Sequence, residues 1–191
     1  AKRMAGFNIA KVWVSVGGTH ITSQNSHGVV AVSEPRDEIN AEDVRRVLEA
    51  ARAISLPAAS EIIHVVPRSF NVDSQEGVKD PTGMTGVRLE VTTHIVTGSS
   101  TSLINLVKCV SEVGCDVAGL VYTALASGLA VLSDTEKELG VILVDIGGGT
   151  TSIAMFTEGA LSYSSVLPVG AKNVTNDLAI GLRISLESAE K

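Results

Sequence analysis

The stretch Val141-Ile-Leu-Val-Asp145-Ile-Gly147-Gly148-Gly149-Thr150-Thr151-Ser152-Ile-Ala-Met-Phe156 constrains this chain most. An apolar run meets an aspartate, then consecutive glycines and threonines, then a second apolar run. Glycines let backbone N–H groups approach an anion closely and reach positive φ at no steric cost. Asp145, at the end of the first run, is placed to hold a hydrated cation, and Thr150 and Thr151 add hydroxyl donors. The pattern reads as a turn that grips nucleotide phosphates through Mg²⁺. Its candidate phosphate- and Mg-binding residues are Asp145, Gly147, Gly148, Gly149, Thr150 and Thr151, with Asp145 reaching the metal through water.

Two commoner phosphate loops do not fit. A P-loop requires Gly-Lys followed by Ser or Thr, and no lysine follows these glycines. A dinucleotide fingerprint requires a helix after them. Ser152–Phe156 instead reads as a strand, and Glu158-Gly159 turns into another over Leu161–Val166, so the loop sits at the tip of a β-hairpin. The plain alternative is an ordinary glycine-rich turn. Strand–Asp-x-Gly-Gly-Gly-Thr-Thr–strand resembles the second phosphate-binding hairpin of the actin and heat-shock-chaperone ATPase superfamily.

Composition narrows the classes. The net charge of −6, with no basic cluster, argues against a nucleic-acid or anionic-membrane surface. No apolar run reaches the roughly 20 residues that span a bilayer. The basic start, Ala1-Lys-Arg-Met-Ala-Gly6, lacks the apolar segment of a signal peptide. Aromatic residues are 3% of the chain, so Val, Leu, Ile and Ala must fill the core. Cys109 and Cys115 have neither zinc-knuckle nor redox-pair spacing and are expected as reduced, buried thiols.

Along the chain, Val12, Val14 and Val16 alternate on one face of a strand, with Trp13 opposite, expected to pack under a helix or else to mark a contact surface. A second strand is expected over Gly28–Ser33, after a strand-and-turn excursion from His20 to His27. Asn40 and Asp43 form a capping-box pattern before a helix whose apolar face is Val44, Val47, Leu48, Ala51 and Ile54, stopped by Leu56-Pro57. Glu42, Asp43, Arg45, Arg46 and Glu49 read as its solvated face. Glu61–Val66 reads as a buried strand, Asp73–Gly83 as an irregular loop (a partner-binding loop or a plain connection), and Val87–Ile95 as a long alternating strand. A helix capped by Ser99 or Ser100 ends at Gly114, and Val117–Tyr122 is a short strand. Ala124–Leu132 is a small-residue helix, Ser133–Glu138 a charged connector, and Gly170–Leu182 a further helix. A last helix opening at Ser185, with so little chain after it, and a start without Met lead us to expect a fragment.

The whole chain resembles the FtsA family of bacterial cell-division proteins. The resemblance is carried by Gly17-Gly-Thr-His-Ile-Thr-Ser-Gln-Asn25, Ile63–Pro67, Gln75–Gly83, Gly86–Val91, Asn105–Val110, Glu136–Gly140, Asp145–Thr151 and Leu167–Gly170. It implies an α/β (α+β) fold: a small strand-helix-strand-strand module followed by part of an actin-like ATPase lobe. In that reading residues 1–6 are the tail of a preceding lobe segment and 7–121 the inserted interaction subdomain. Residues 122–140 return to the first lobe, and 141–191 begin the second. The resemblance further implies ATP and Mg²⁺ as cofactors and self-association into filaments. It implies FtsZ and other division proteins as partners, and a place at the inner face of the membrane at the division site. Membrane contact would run through a C-terminal helix outside this chain. The family usually carries a second aspartate after the threonines; Ser152 stands there instead and is a weaker metal ligand. The resemblance therefore implies at most a weak ATPase, with no catalytic residue assigned in this chain. Two related readings are an actin-like pilus-assembly protein and a chaperone-type ATPase.

The histidines His20, His27, His64 and His94 lack metal-pair spacing; His64 and His94 are expected as hydrogen-bonded sheet residues. No Gly-x-Ser-x-Gly elbow supports a hydrolase triad.

Overall fold

The computed structural model describes residues 10–33 and 38–191, so the expected tail over residues 1–6 lies outside the described residues. Strand β1 (Lys11–Val16) pairs in parallel with β6 (Asp116–Tyr122), and the two form a separate two-stranded sheet. Between them in sequence lies a four-stranded sheet in the order β2-β5-β3-β4, built from β2 (Thr22–Ala31), β3 (Ser60–Val72), β4 (Gln75–Val78) and β5 (Arg88–Ser99). A third sheet, β7 (Val141–Ile146), β8 (Thr151–Thr157) and β9 (Ala160–Leu167), is an antiparallel meander. The chain is thus mixed α/β, the class expected. The module expected over residues 7–121 takes in both the four-stranded sheet and the β1–β6 pair.

Helix α1 (Ala41–Arg52) starts as its sequence dictates. The Asn40 side chain accepts from the backbone N–H groups of Glu42 and Asp43, and Asp43 answers by accepting from Asn40 N. The helix ends at Arg52, before Leu56-Pro57 and short of Ile54, which was expected on its apolar face. Val47 and Ala51 are buried against the four-stranded sheet, with Val44 and Leu48 beside them. Gly28 makes that approach possible, since a Cβ there would overlap the backbone of Val47 and Ala51. Asp43 departs from the expected solvated face: it is 1% exposed, accepting from Ser33 and Arg46. Burial alone would raise its pKa, but the hydrogen bonds from Ser33 and Asn40 and the charge of Arg46 hold it below the ordinary aspartate value.

Several other elements differ from expectation. Thr22–Ala31 is one continuous strand, so the turn before it is confined to the residues just after β1. Asp73–Gly83 is not wholly irregular. Gln75–Val78 folds back on the end of β3 after Asp73 takes a left-handed turn at φ 53°, and the Asp73 carboxylate accepts from Val87 N and Arg88 N. Residues 134–139 form a short helix, α4 (Asp134–Leu139), closed by a Ser133–Glu136 capping box, where a connector was expected. Trp13 is 70% exposed, lying over Gly119 of the neighbouring strand and not under a helix. Cys109 is exposed and Cys115 half-buried, because the buried stripe of α2 (Ser100–Glu112) runs through Leu103 and Leu106.

Helix α3 (Thr123–Val131) packs on the inner face of the third sheet, where Gly128 lies so close to the Phe156 ring that a Cβ would come within 2.5 Å of it. Helices α5 (Ala171–Leu182) and α6 (Leu186–Ala189) close the chain. Among the described residues, no helix is long and apolar enough to cross a membrane.

Candidate functional site

Parallel strands end side by side, and this builds the site. Val16 at the end of β1 pairs with Tyr122 at the end of β6, so Gly17-Gly18 and Thr123 leave the sheet together. Strand β7 delivers Asp145 and the glycine turn to the same place. The result is a cavity of about 190 Å³ lined by Gly17, Gly18, Thr123, Asp145, Gly147, Thr150 and Ser152. Such a position, beyond the carboxyl ends of parallel strands, is where open α/β sheets hold ligands. Thr123, the first residue of α3, lines the cavity, so the positive end of that helix borders it.

Of the residues singled out in the sequence, Asp145, Gly147, Thr150 and Ser152 form the cavity wall. Asp145 Oδ2 accepts from Ser127 Oγ at 3.0 Å, which fixes the carboxylate's orientation. In the hairpin register Asp145 sits opposite Ser152. Gly148 and Gly149 flank the wall, with nothing within 4 Å of a Cβ built on either. None of Gly147, Gly148 and Gly149 has positive φ, so their glycine requirement here is open approach to the backbone and not left-handed conformation. Thr151 turns elsewhere: its hydroxyl donates to Val169 O at 2.7 Å.

The glycine turn is held from outside by the start of α5. Ala171 N and Lys172 N donate to Gly147 O and Gly148 O, each at 2.9 Å, and Gly147 N donates to Thr150 O. Gly170 must be glycine, since a Cβ there would stand 2.6 Å from Gly147 O and 2.7 Å from Gly149 N. The helix thereby uses its orphan N–H groups to draw two loop carbonyls to itself and away from an approaching anion.

The donor set fits a phosphate group with a hydrated cation: one carboxylate, three hydroxyls, glycine backbone with open approach, and a helix N-terminus. Among the described residues no group of three or more His, Cys, Asp or Glu is placed to hold a metal directly. Gly17, Gly18, Thr123 and Ser127 were not singled out as site residues in the sequence. The glycine pair directly after the β1 alternation was the available signal.

Behind the cavity lies a buried polar junction between the four-stranded sheet and β9. His94 is 1% exposed; its Nδ1 meets Asn25 Oδ1 at 2.7 Å and its Nε2 meets Ser164 Oγ at 2.9 Å. Burial, with Arg68 nearby, pushes its pKa down to about 4, so the ring is neutral near pH 7. Ser23 Oγ donates to Ser164 O at 2.7 Å. His64, whose pKa burial also lowers, accepts from Tyr122 N at 3.0 Å. Both strand histidines are therefore hydrogen-bonded sheet residues, as expected. The Ser164–His94–Asn25 series resembles a hydrolase triad in its contacts only; Ser164 and His94 are both buried from any substrate.

Comparison with known proteins gives the family. A family model described as the SHS2 domain inserted in FTSA matches residues 18–97, and one described as cell division protein FtsA matches residues 142–191. The chain is 46% identical over 191 residues to the cell division protein FtsA of Pseudomonas aeruginosa, covering 100% of this chain and 45% of that protein. It is 48% identical over 191 residues to the Bacillus subtilis protein of the same name, covering 100% and 43%. The chain thus spans a little under half the length of these curated relatives. A chain of the solved PilM-PilN type IV pilus biogenesis complex superposes with a TM-score of 0.65 at 15% identity, covering 99% of this chain and 52% of that one, which is a likeness of fold alone.

Proposed function

The chain belongs to the FtsA family of cell-division proteins, and on that premise we propose that it carries one phosphate-binding face of an ATP site together with an interaction module. The observation that supports this most is the cavity itself, where loops from β1, β6 and β7 bring Asp145, hydroxyls and glycine backbone to one point. In this reading Thr123, Thr150 and the backbone around Gly147–Gly149 receive phosphate oxygens, and Asp145 receives Mg²⁺ through water. The metal, when bound, offsets phosphate charge. Ser152, a buried hydroxyl in place of a second carboxylate, makes the metal site weak, and turnover by this chain is expected to be negligible.

The module in this proposal is the four-stranded sheet with α1, and β1 and β6 belong to the frame of the phosphate site. The module would serve contacts with further copies and with other division proteins, FtsZ among the partners of the whole protein, at the inner face of the membrane at the division site. The pilus-assembly reading draws on a shared fold at 15% identity, whereas the division reading draws on 46% and 48% identity along the whole chain. The chaperone-type reading has no comparable support.

Calorimetric titration with Mg-ATP, alongside Asp145→Ala, tests the site. Saturable binding weakened at least about ten-fold in the variant, or about 1.4 kcal/mol, is the expected result. Absence of binding, or binding indifferent to Asp145, would refute it.

A further inference from the structure

Tyr122 is fully buried, and its hydroxyl has no hydrogen-bond partner among the described residues. An unpaired hydroxyl at that depth is destabilising and needs a reason. Two hydroxyls stand beside it. Ser152 lines the phosphate cavity, and Ser164 is bonded to His94 at the junction with the module. Asp145, cross-strand partner of Ser152, is near enough for its charge to act on the phenol. Burial pushes the Tyr122 hydroxyl above its ordinary pKa, Ser152 and Ser164 draw it partly back, and Asp145 adds to the rise, so the group is a neutral donor. The module also grips Tyr122 through its backbone, by way of His64.

We infer that Tyr122 is a positioning residue linking the phosphate cavity to the module, its single donated proton shared between Ser152 on the cavity side and Ser164 on the module side. The inference rests on the phosphate-binding reading of the cavity. A hydroxyl has one proton and two lone pairs. When a phosphate oxygen or the water of a hydrated cation accepts the Ser152 proton, the Ser152 lone pairs turn to Tyr122 and the phenol commits to that side. Ser164 is then left to His94 alone, and the Asn25–His94–Ser164 series readjusts. Occupancy of the cavity is so reported to the seam where β9 meets β2 and β5. The only atoms that need move are hydroxyl protons and one imidazole, which suits a packed interior that tolerates little backbone shift.

The test follows the His94 imidazole nitrogens by NMR while the 191-residue chain is titrated with Mg-ATP, binding being measured in parallel by calorimetry. In the wild type the His94 Nε2 resonance is expected to move in step with saturation. In Tyr122→Phe, which still binds, the shift at saturation is expected to fall at least about five-fold. Retention of the full His94 shift in Tyr122→Phe would overturn the link. So would a wild type that binds while His94 stays still, which leaves the phosphate reading intact. A wild type that fails to bind overturns that reading and the link with it. If Tyr122→Phe does not fold, Ser164→Ala keeps the ring and removes the module-side hydroxyl. It is expected to leave His94 unresponsive to saturating Mg-ATP, and a His94 that still responds overturns the link.

Discussion

The four-stranded sheet and the three-stranded sheet start from the same alternation of apolar residues and end differently. In the first, Leu89, Val91, Ile95 and Val96 of β5 are fully buried, with α1 laid across one face. In the second, α3 covers the inner face over Ala154 and Phe156, while Ile142, Val144 and Ile146 of β7 stand 62%, 53% and 69% exposed on the outer face. Cross-strand from them lie Met155, Ile153 and Thr151. The module closes one core with α1 over Leu89 and Val91, while Val96 of the same strand packs with Tyr122 and Leu161 in a core shared with the third sheet; the sheet that carries the glycine hairpin keeps its outer face uncovered. Period-two patterning marks a face as apolar; it does not say that the face is covered.

Four changes test that contrast. The largest effect is expected from Gly28→Val, because the added side chain meets the backbone of α1 itself. A loss of about 3 kcal/mol or more in urea unfolding is expected, and a change under 1 would show that α1 does not depend on that approach. Next comes the pair Leu89→Ala and Val144→Ala. The first, at 0% exposure, should lose about 2–5 kcal/mol, and the second, on the uncovered face, within about 0.5. Equal losses would erase the distinction between the sheets.

A third change is in pH. His94 has a folded pKa of about 4, below its ordinary value, so the unfolded chain binds more protons in between. Its contribution is fully present above about pH 6.5 and lost as the pH falls toward 4. The loss should be on the order of 2 kcal/mol, and it should shrink in His94→Gln when unfolding midpoints at pH 7.5 and 4.5 are compared. An identical pH response in the variant would remove the junction from the account. Smallest is Asn40→Ala, which deletes the cap of α1 and should cost about 1 kcal/mol by the same assay.

Much of the local structure was legible in the residues. The hairpin of β7 and β8, the capping box at Asn40 and Asp43, and the Gly114 turn at φ 82° each rest on short-range chemistry. The Ser133-Asp-Thr-Glu136 pattern also announced α4, and its charge density hid it. What could not be read was long-range. β4 exists because Val78 and Gln75 find Phe70 and Val72, and its own Gly-rich, polar composition says loop. Asp43 is buried because Ser33 and Arg46 meet its carboxylate, in a position that helical spacing alone assigns to water.

The candidate site divides the same way. Asp145, Gly147 and Thr150 stand out through adjacency, since a strand, a carboxylate and small residues follow one another directly. Gly17, Gly18 and Thr123 join them only because β1 and β6 pair in parallel with Val16 beside Tyr122. The sequence by itself thus determined the turns, caps and alternating faces, which depend on dihedral preferences and on neighbours within a few residues. The tertiary structure alone decided which faces are covered, that Tyr122 is fully buried, and which distant loops share a cavity. Burial and strand pairing are set by segments far apart in the chain, and no local pattern records them.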